Sequence, residues 1–307
     1  VKPTDFSINV TDNPATTTSG SGFIAAGEAF TVTVQALNAL GDATPNYGNE
    51  QVPEGVTLSL DSLVFPSGGS LGVLSNANSF TKIANNSFQN EAVHWSEAGS
   101  IRLSASIADA NYLGAGDVTS AASGAIGRFY PYDFFVSGNS VVNSCSNFTY
   151  LSQPDLSLMY TVTAITRDGD TVTNYDAGLG YPVGTTEYVA EDNNDGNNLG
   201  TRMSVATAVW SAGEYSVSDV AAAFARTNTR EAPLNDVVLG ISIDDADDVP
   251  MNAANMNAST NDDCEVSASC NAVSLGSASF YYGRLTLADA YGPETAALPA
   301  QLLTEYW

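Results

Sequence analysis

The hydrophobic pattern of this chain repeats every second residue almost throughout, and that period restricts it to β structure. Phe30-Thr31-Val32-Thr33-Val34-Gln35-Ala36, Val56-Thr57-Leu58-Ser59-Leu60 and Ile101-Arg102-Leu103-Ser104-Ala105 each set apolar residues against polar ones in alternation. Successive side chains of a strand point to opposite faces, so such runs form half-buried strands. The pattern returns over Tyr160 to Ala164, Val237 to Ile243 and Arg284 to Leu287. Between the runs lie clusters of Gly, Asn, Asp, Ser and Pro, which turn the chain rather than extend it. Ser218 to Ala225 reads equally as a short helix or as a strand with an alanine-rich edge. The expected class is all-β.

A repeat divides the strands into two copies. Ala36 to Tyr47 aligns without gaps on Ala164 to Tyr175 at an offset of 128 residues, with Gly41-Asp42 over Gly169-Asp170 and Asn46-Tyr47 over Asn174-Tyr175. Glycine there tolerates positive φ, and Asp and Asn side chains cap backbone amides, so each copy is expected to turn at this point. Further on, Val93-His94-Trp95-Ser96-Glu97-Ala98-Gly99 faces Ala208-Val209-Trp210-Ser211-Ala212-Gly213, one residue shorter. A large aromatic before a tight corner resembles the turn between strands E and F of immunoglobulin-like sandwiches. Stacking on sugar rings is the alternative role for Trp95 and Trp210, and their recurrence in both copies favours the structural one. The expected architecture is two tandem immunoglobulin-like β-sandwich domains, 1–127 and 128–307. The second is enlarged by long loops, chiefly the polar, acidic, cysteine-bearing stretch from Asp244 to Ser277.

Charge excludes several partners. There are 34 acidic residues against 9 basic ones, a formal charge of −25. Nucleic acids bind through cationic side chains on phosphates, and anionic membranes attract basic segments, so neither is an expected partner. No apolar run approaches the roughly 18 residues of a membrane-spanning helix, and membrane insertion is not expected. Strong acidity suits salty surroundings, where screening reduces self-repulsion and cations are abundant; solubility alone explains it equally well.

Catalytic patterns are missing. His94 is the only histidine and lies beside Trp95 on a strand, so no nucleophile-base constellation can be drawn. No Gly-x-Ser-x-Gly, His-Glu-x-x-His or phosphate-loop motif occurs, and an enzyme is not expected. Calcium fits better, because hard cations take several oxygens from flexible loops. Two stretches offer that chemistry: Glu191 to Asn198, with Asp192 and Asp195, and the run Asp244, Asp245, Asp247 and Asp248. Two solvated acidic loops are the competing reading. Cys264 and Cys270 enclose a short polar ring and can pair in an oxidising compartment. Cys145 is left over, either with a partner elsewhere or as a buried thiol. Tyr281, Tyr282, Tyr291, Tyr306 and Trp307 make an aromatic-rich tail that could form a binding patch or be half buried by alternation.

Several ordered motifs carry a family resemblance. Gly127-Arg128-Phe129-Tyr130-Pro131, the Cys145 to Gln153 segment, Thr173-Asn174-Tyr175, the Leu234 to Asp247 strand and the tail from Tyr282 to Trp307 resemble the C-terminal region of MshQ-type proteins. That family is encoded with the mannose-sensitive haemagglutinin type IV pilus of marine gamma-proteobacteria. The resemblance implies an exported, pilus-associated surface protein of a Gram-negative bacterium whose chain continues beyond the Tyr-Trp motif. It implies no catalytic or ligand residue. The expected role is a non-catalytic stalk or assembly module of a surface adhesin, contacting other modules of the same protein or pilus subunits. The alternatives are a glycan- or protein-binding module, with host or surface glycans as ligands, and a filament-forming subunit.

Overall fold

The computed structural model describes residues 2–261, 264 and 270–306. Eight strands build the first unit: β1 (Asp5–Val10), β2 (Phe30–Leu37), β3 (Val56–Phe65), β4 (Leu74–Ser75), β5 (Thr81–Ala84), β6 (Ser87–Trp95), β7 (Gly99–Ile107) and β8 (Ile126–Phe129). One sheet runs β1-β2-β6-β4 with β5 also on β6, and the other runs β3-β7-β8. In β2 buried and half-buried residues alternate strictly, as the sequence period requires. Inward residues of both sheets, among them Val32, Val34, Leu58, Trp95, Leu103 and Phe129, meet in one core. The unit is an immunoglobulin-like sandwich.

The second unit repeats this plan with β9 (Asp133–Val142), β10 (Thr149–Tyr150), β11 (Leu156–Ile165), β12 (Thr185–Glu191), β13 (Met203–Ser204), β14 (Glu214–Phe224), β15 (Leu234–Asp244) and β16 (Val273–Tyr281). Its sheets run β13-β14-β11-β9 and β10-β16-β15-β12. The ambiguous stretch is strand as far as Phe224, because β14 is held by β11 up to Ala222 and by β13 at its end. A separate two-stranded hairpin, β17 (Gly283–Leu287) with β18 (Leu302–Tyr306), follows the second sandwich.

The turn repeat survives as hydrogen bonds at the same offset. Thr44 N–H donates to Ala36 O and Val172 N–H to Ala164 O, both at 2.9 Å. Gly41 N–H donates to Asn38 O and Gly169 N–H to Thr166 O, both at 3.0 Å. Tyr47 and Tyr175, which close the two turns, are wholly buried.

The tryptophan match does not survive. Ala36 N–H bonds Asn86 O and Ala164 N–H bonds Gly213 O, so Gly213 corresponds to Asn86 at the start of a strand, not to Gly99. Trp95 therefore ends β6, whereas Trp210 precedes β14, at the other end of its sandwich. Their indole N–H groups reach different carbonyls, Leu71 O at 2.8 Å and Gly184 O at 3.1 Å. At the end of β14, Phe224 stacks on Phe280 at 4.4 Å, while at the end of β6 Trp95 packs on Phe129 at 5.1 Å. With exposures of 0% and 3%, both tryptophans are core residues and neither face is open to a sugar.

The junction falls slightly later than the sequence boundary of 127/128. Arg128 and Phe129 belong to β8, and Phe129 lies in the first core. Crossing takes only Tyr130 to Tyr132. Tyr130 N–H bonds Ile24 O in the first unit at 3.3 Å, and Tyr132 N–H bonds Ile165 O in the second at 2.8 Å.

The enlargement of the second unit is not a loose loop. After β15 the chain folds back across the outer face of the β12-β15-β16 sheet, where Met256, Ala258 and Ala272 pack on Val189 and Val238. Gly240 makes this possible. A Cβ there would lie 2.6 Å from Met256 Sδ and 3.0 Å from Val273 O, so the absence of a side chain lets the methionine lie close on the strand.

Candidate functional site

Two places gather polar side chains beyond what the sandwich cores use. The first is the seam between the units. Arg128 donates to both carboxylate oxygens of Asp247, at 2.5 and 2.6 Å, and to Gly20 O at 3.0 Å. The side chains of this pair are only 3% and 6% exposed. Beside it, Glu97 accepts from Thr173 Oγ1 at 2.5 Å and from Asn174 N–H at 2.9 Å. Asn174 is fully buried; its amide donates to Ser70 O and Ala98 O and accepts from Ser70 N–H. Phe65 of the first unit stacks on Tyr181 of the second at 5.8 Å, and Tyr181 donates to Phe129 O. Ala26, Phe65 and Ala98 thus join the core of the second unit.

Burial sets the electrostatics of the seam. It pushes the Glu97 carboxyl above its ordinary range, against the pull of the Thr173 and Asn174 hydrogen bonds. It does the same to Asp245, which accepts from Tyr175 Oη at 2.5 Å. Tyr175, desolvated and facing that carboxylate, is pushed far above the ordinary phenol range. Burial alone would lower the Arg128 guanidinium, but Asp247 outweighs it and the group is held up.

The acids expected to hold calcium are therefore placed in different ways. Asp245 and Asp247 serve Tyr175 and Arg128 inside the seam, while Asp244 and Asp248 are exposed. Asp195 is exposed and caps Asn197 N–H at 2.9 Å, and Asp192 is half-buried, its carboxyl raised by burial and then by Asp195. Among the described residues no group of three or more His, Cys, Asp or Glu side chains converges on a metal position. Cys264 and Cys270 form a disulfide, and Cys145 is a free, half-buried thiol. His94 lies beside Ala92 O at 3.3 Å and the Asn76 amide at 3.5 Å. Tyr281 stacks on Phe148 and Tyr306, Tyr291 is 91% exposed, and Trp307 lies outside the described residues.

The second place is a cleft of about 480 Å³ on the outer face of the β12-β15-β16 sheet. The insertion walls one side with Asn255, Met256, Asn257 and Cys264, and the loop after β12 walls the other with Glu191, Asn193 and Asn194. Asn235, Asp236 and Val238 of β15 complete it. The two walls meet where Gly196 packs against Thr260 and Asn261.

Comparison with family models assigns the chain to a family. Residues 2–94 match the model described as DUF6701, second domain, and residues 97–271 match DUF6701, third domain. The chain belongs to the DUF6701 family. The two DUF6701 models divide at the corner after Trp95, inside the first sandwich, because β7 and β8 complete that sandwich from the third-domain segment. No curated protein matches the sequence. Among solved structures, the Escherichia coli adhesin FdeC superposes with a TM-score of 0.34 at 14% identity, covering 80% of this DUF6701 chain and 61% of its own. The Yersinia pseudotuberculosis adhesin InvE gives 0.34 at 12%, covering 90% of this chain and 60% of its own. The chain thus spans about three fifths of the length of each. No helix among the described residues is long and apolar enough to cross a membrane.

Sequence reading missed the seam partners Glu97 and Arg128 and the cleft residues Asn235, Asp236, Asn255 and Asn257. One signal for the cleft was present. Gly240 interrupts the Val237 to Ile243 strand, and a glycine inside a strand marks close approach by another segment.

Proposed function

We propose that this DUF6701 segment is a non-catalytic spacer of an exported surface protein. Two sandwiches joined at a closed seam hold neighbouring modules of the same protein at a fixed distance and orientation. The pilus of a Gram-negative cell, to which the MshQ-type resemblance points, is the proposed setting, with pilus subunits as the proposed neighbours. The observation that carries this reading is the buried Arg128–Asp247 pair, which joins the end of the first sandwich to the facing end of the second. A flexible joint leaves its charges in water, because an exposed pair is worth at most about 1 kcal/mol. A buried pair is held by geometry, since separating it strands two charges. The consecutive second- and third-domain matches fit a longer tandem series. Net charge of −25 opposes collapse of such chains onto one another.

Small-angle X-ray scattering tests the proposal. One fixed arrangement of the two sandwiches should fit the profile of the whole chain, unchanged between low and moderate salt. A profile that requires many relative orientations refutes a spacer of defined geometry.

A further inference from the structure

The cleft on the outer sheet face has no role in holding the sandwiches together, and its chemistry selects a ligand. Its volume of about 480 Å³ lies within the range of small-molecule sites, roughly 300–1,000 Å³. The described lining contains no Lys, Arg, His or aromatic ring, so nothing there neutralises a phosphate, sulfate or sialyl carboxylate. Carboxamides dominate instead, with two carboxylates and a small apolar patch from Val238 and Met256.

The amides are oriented by the protein. Asn255 Oδ1 accepts from Ser274 N–H at 2.8 Å, and Asn235 Oδ1 accepts from Tyr281 Oη at 3.3 Å. Each bond uses the carbonyl end, and no described hydrogen bond uses either NH₂ group. The carboxylates are half engaged in the same way. Asp236 Oδ1 takes Ser277 Oγ–H at 2.5 Å, and Glu191 Oε1 takes Gly196 N–H at 3.3 Å, leaving the second oxygen of each. The cleft therefore offers fixed donors beside fixed acceptors over an apolar floor. A hydroxyl group donates and accepts at once, and a row of hydroxyls on a C–H-faced ring matches that set.

We propose that this cleft binds a neutral saccharide through the Asn235 and Asn255 amides and the Asp236 and Glu191 carboxylates. The site gives the second sandwich a recognition role that the spacer reading does not require. Scattering tests the seam and binding tests the cleft, so either can fail alone.

The test is a printed array of neutral, sialylated and sulfated oligosaccharides probed with the whole chain, followed by titration calorimetry with the best neutral hit and with spermidine. Asn235→Asp and Asn255→Asp keep each Oδ1 acceptor and exchange the NH₂ donor for a charged oxygen, and thermal melts report whether each variant folds. Binding to neutral glycans over sialylated or sulfated counterparts is expected, with a loss of about tenfold in affinity for each substitution. Three outcomes overturn the proposal: no array binding, neutral-glycan binding unchanged in both folded variants, or binding of spermidine without any saccharide.

Discussion

Replacing Asp247 with alanine leaves the Arg128 guanidinium buried at the seam without its counter-ion. The pair is 3% and 6% exposed, so water cannot substitute for the lost carboxylate unless the seam opens. Breaking a buried pair by removing one partner costs about 3–5 kcal/mol. At roughly 2–4 °C per kcal/mol for domains of this size, the melting temperature should fall by about 6–20 °C. The companion change Arg128→Met separates charge from packing. It fills similar volume and removes Arg128 Nε, a buried donor that has no partner among the described residues. Replacing both members by apolar groups is close to neutral in dry sites, so Arg128→Met/Asp247→Ala should recover most of the loss. Urea melts of the wild type, both single variants and the double variant form a double-mutant cycle. A coupling of at least about 2 kcal/mol is expected for neighbours of this kind. A loss under about 1 kcal/mol for Asp247→Ala, the value of an exposed pair, would refute the claim that the seam is dry.

Gly240→Ala should destabilise the second unit by about 1–3 kcal/mol, because the new methyl overlaps Met256 Sδ and nears Val273 O; limited proteolysis should then cut the insertion sooner, and unchanged melts and cleavage would contradict the packing described. Stability should fall as pH rises above the ordinary carboxylate range: the raised carboxyls of Glu97 and Asp245 hold protons in the folded chain that the unfolded chain has released, so folding is favoured on the acid side of that window. A melting temperature that climbs with pH across the window would overturn this sign. Below the ordinary carboxylate range the trend should reverse, since the Asp176 carboxyl, lowered by the Ala212 N–H hydrogen bond, loses its contribution on protonation. Exchanging chelator for millimolar calcium should leave the melting temperature unchanged, because Asp245 and Asp247 are engaged by Tyr175 and Arg128; a rise of several degrees would place a structural cation on the remaining acids.

Strand positions were legible because a one-residue slip would exchange the buried and exposed faces of every strand, which leaves a firm period-two mark in the sequence. The turn repeat was legible because its glycines turn the chain locally, with Asn38 Oδ1 and Thr166 Oγ1 accepting from Asp42 N–H and Asp170 N–H within each turn. The tryptophan repeat misled for a related reason. Residue identity recurs there, but strand equivalence is fixed by pairing, and the pairing sets Gly213 against Asn86. The seam was harder to see. Glu97 is the residue by which the first Trp-Ser-Glu-Ala-Gly corner exceeds its partner, and its use depends on Thr173 and Asn174, which lie beyond the end of the first sandwich. The cleft was least visible, because its walls come from two loops and one outer strand face with no shared period.

The crossing between the units also governs how the chain bears tension. Tyr130 is tied to Ile24 in one sandwich and Tyr132 to Ile165 in the other, so almost no slack lies between them. Glu97 and Arg128 add side-chain ties across the same plane. Force drawn along the chain is therefore borne by several bonds at once rather than by a tether that lengthens first. Pulled end to end, the pair of sandwiches is expected to act as one link, with the seam and the strand beside it giving way together.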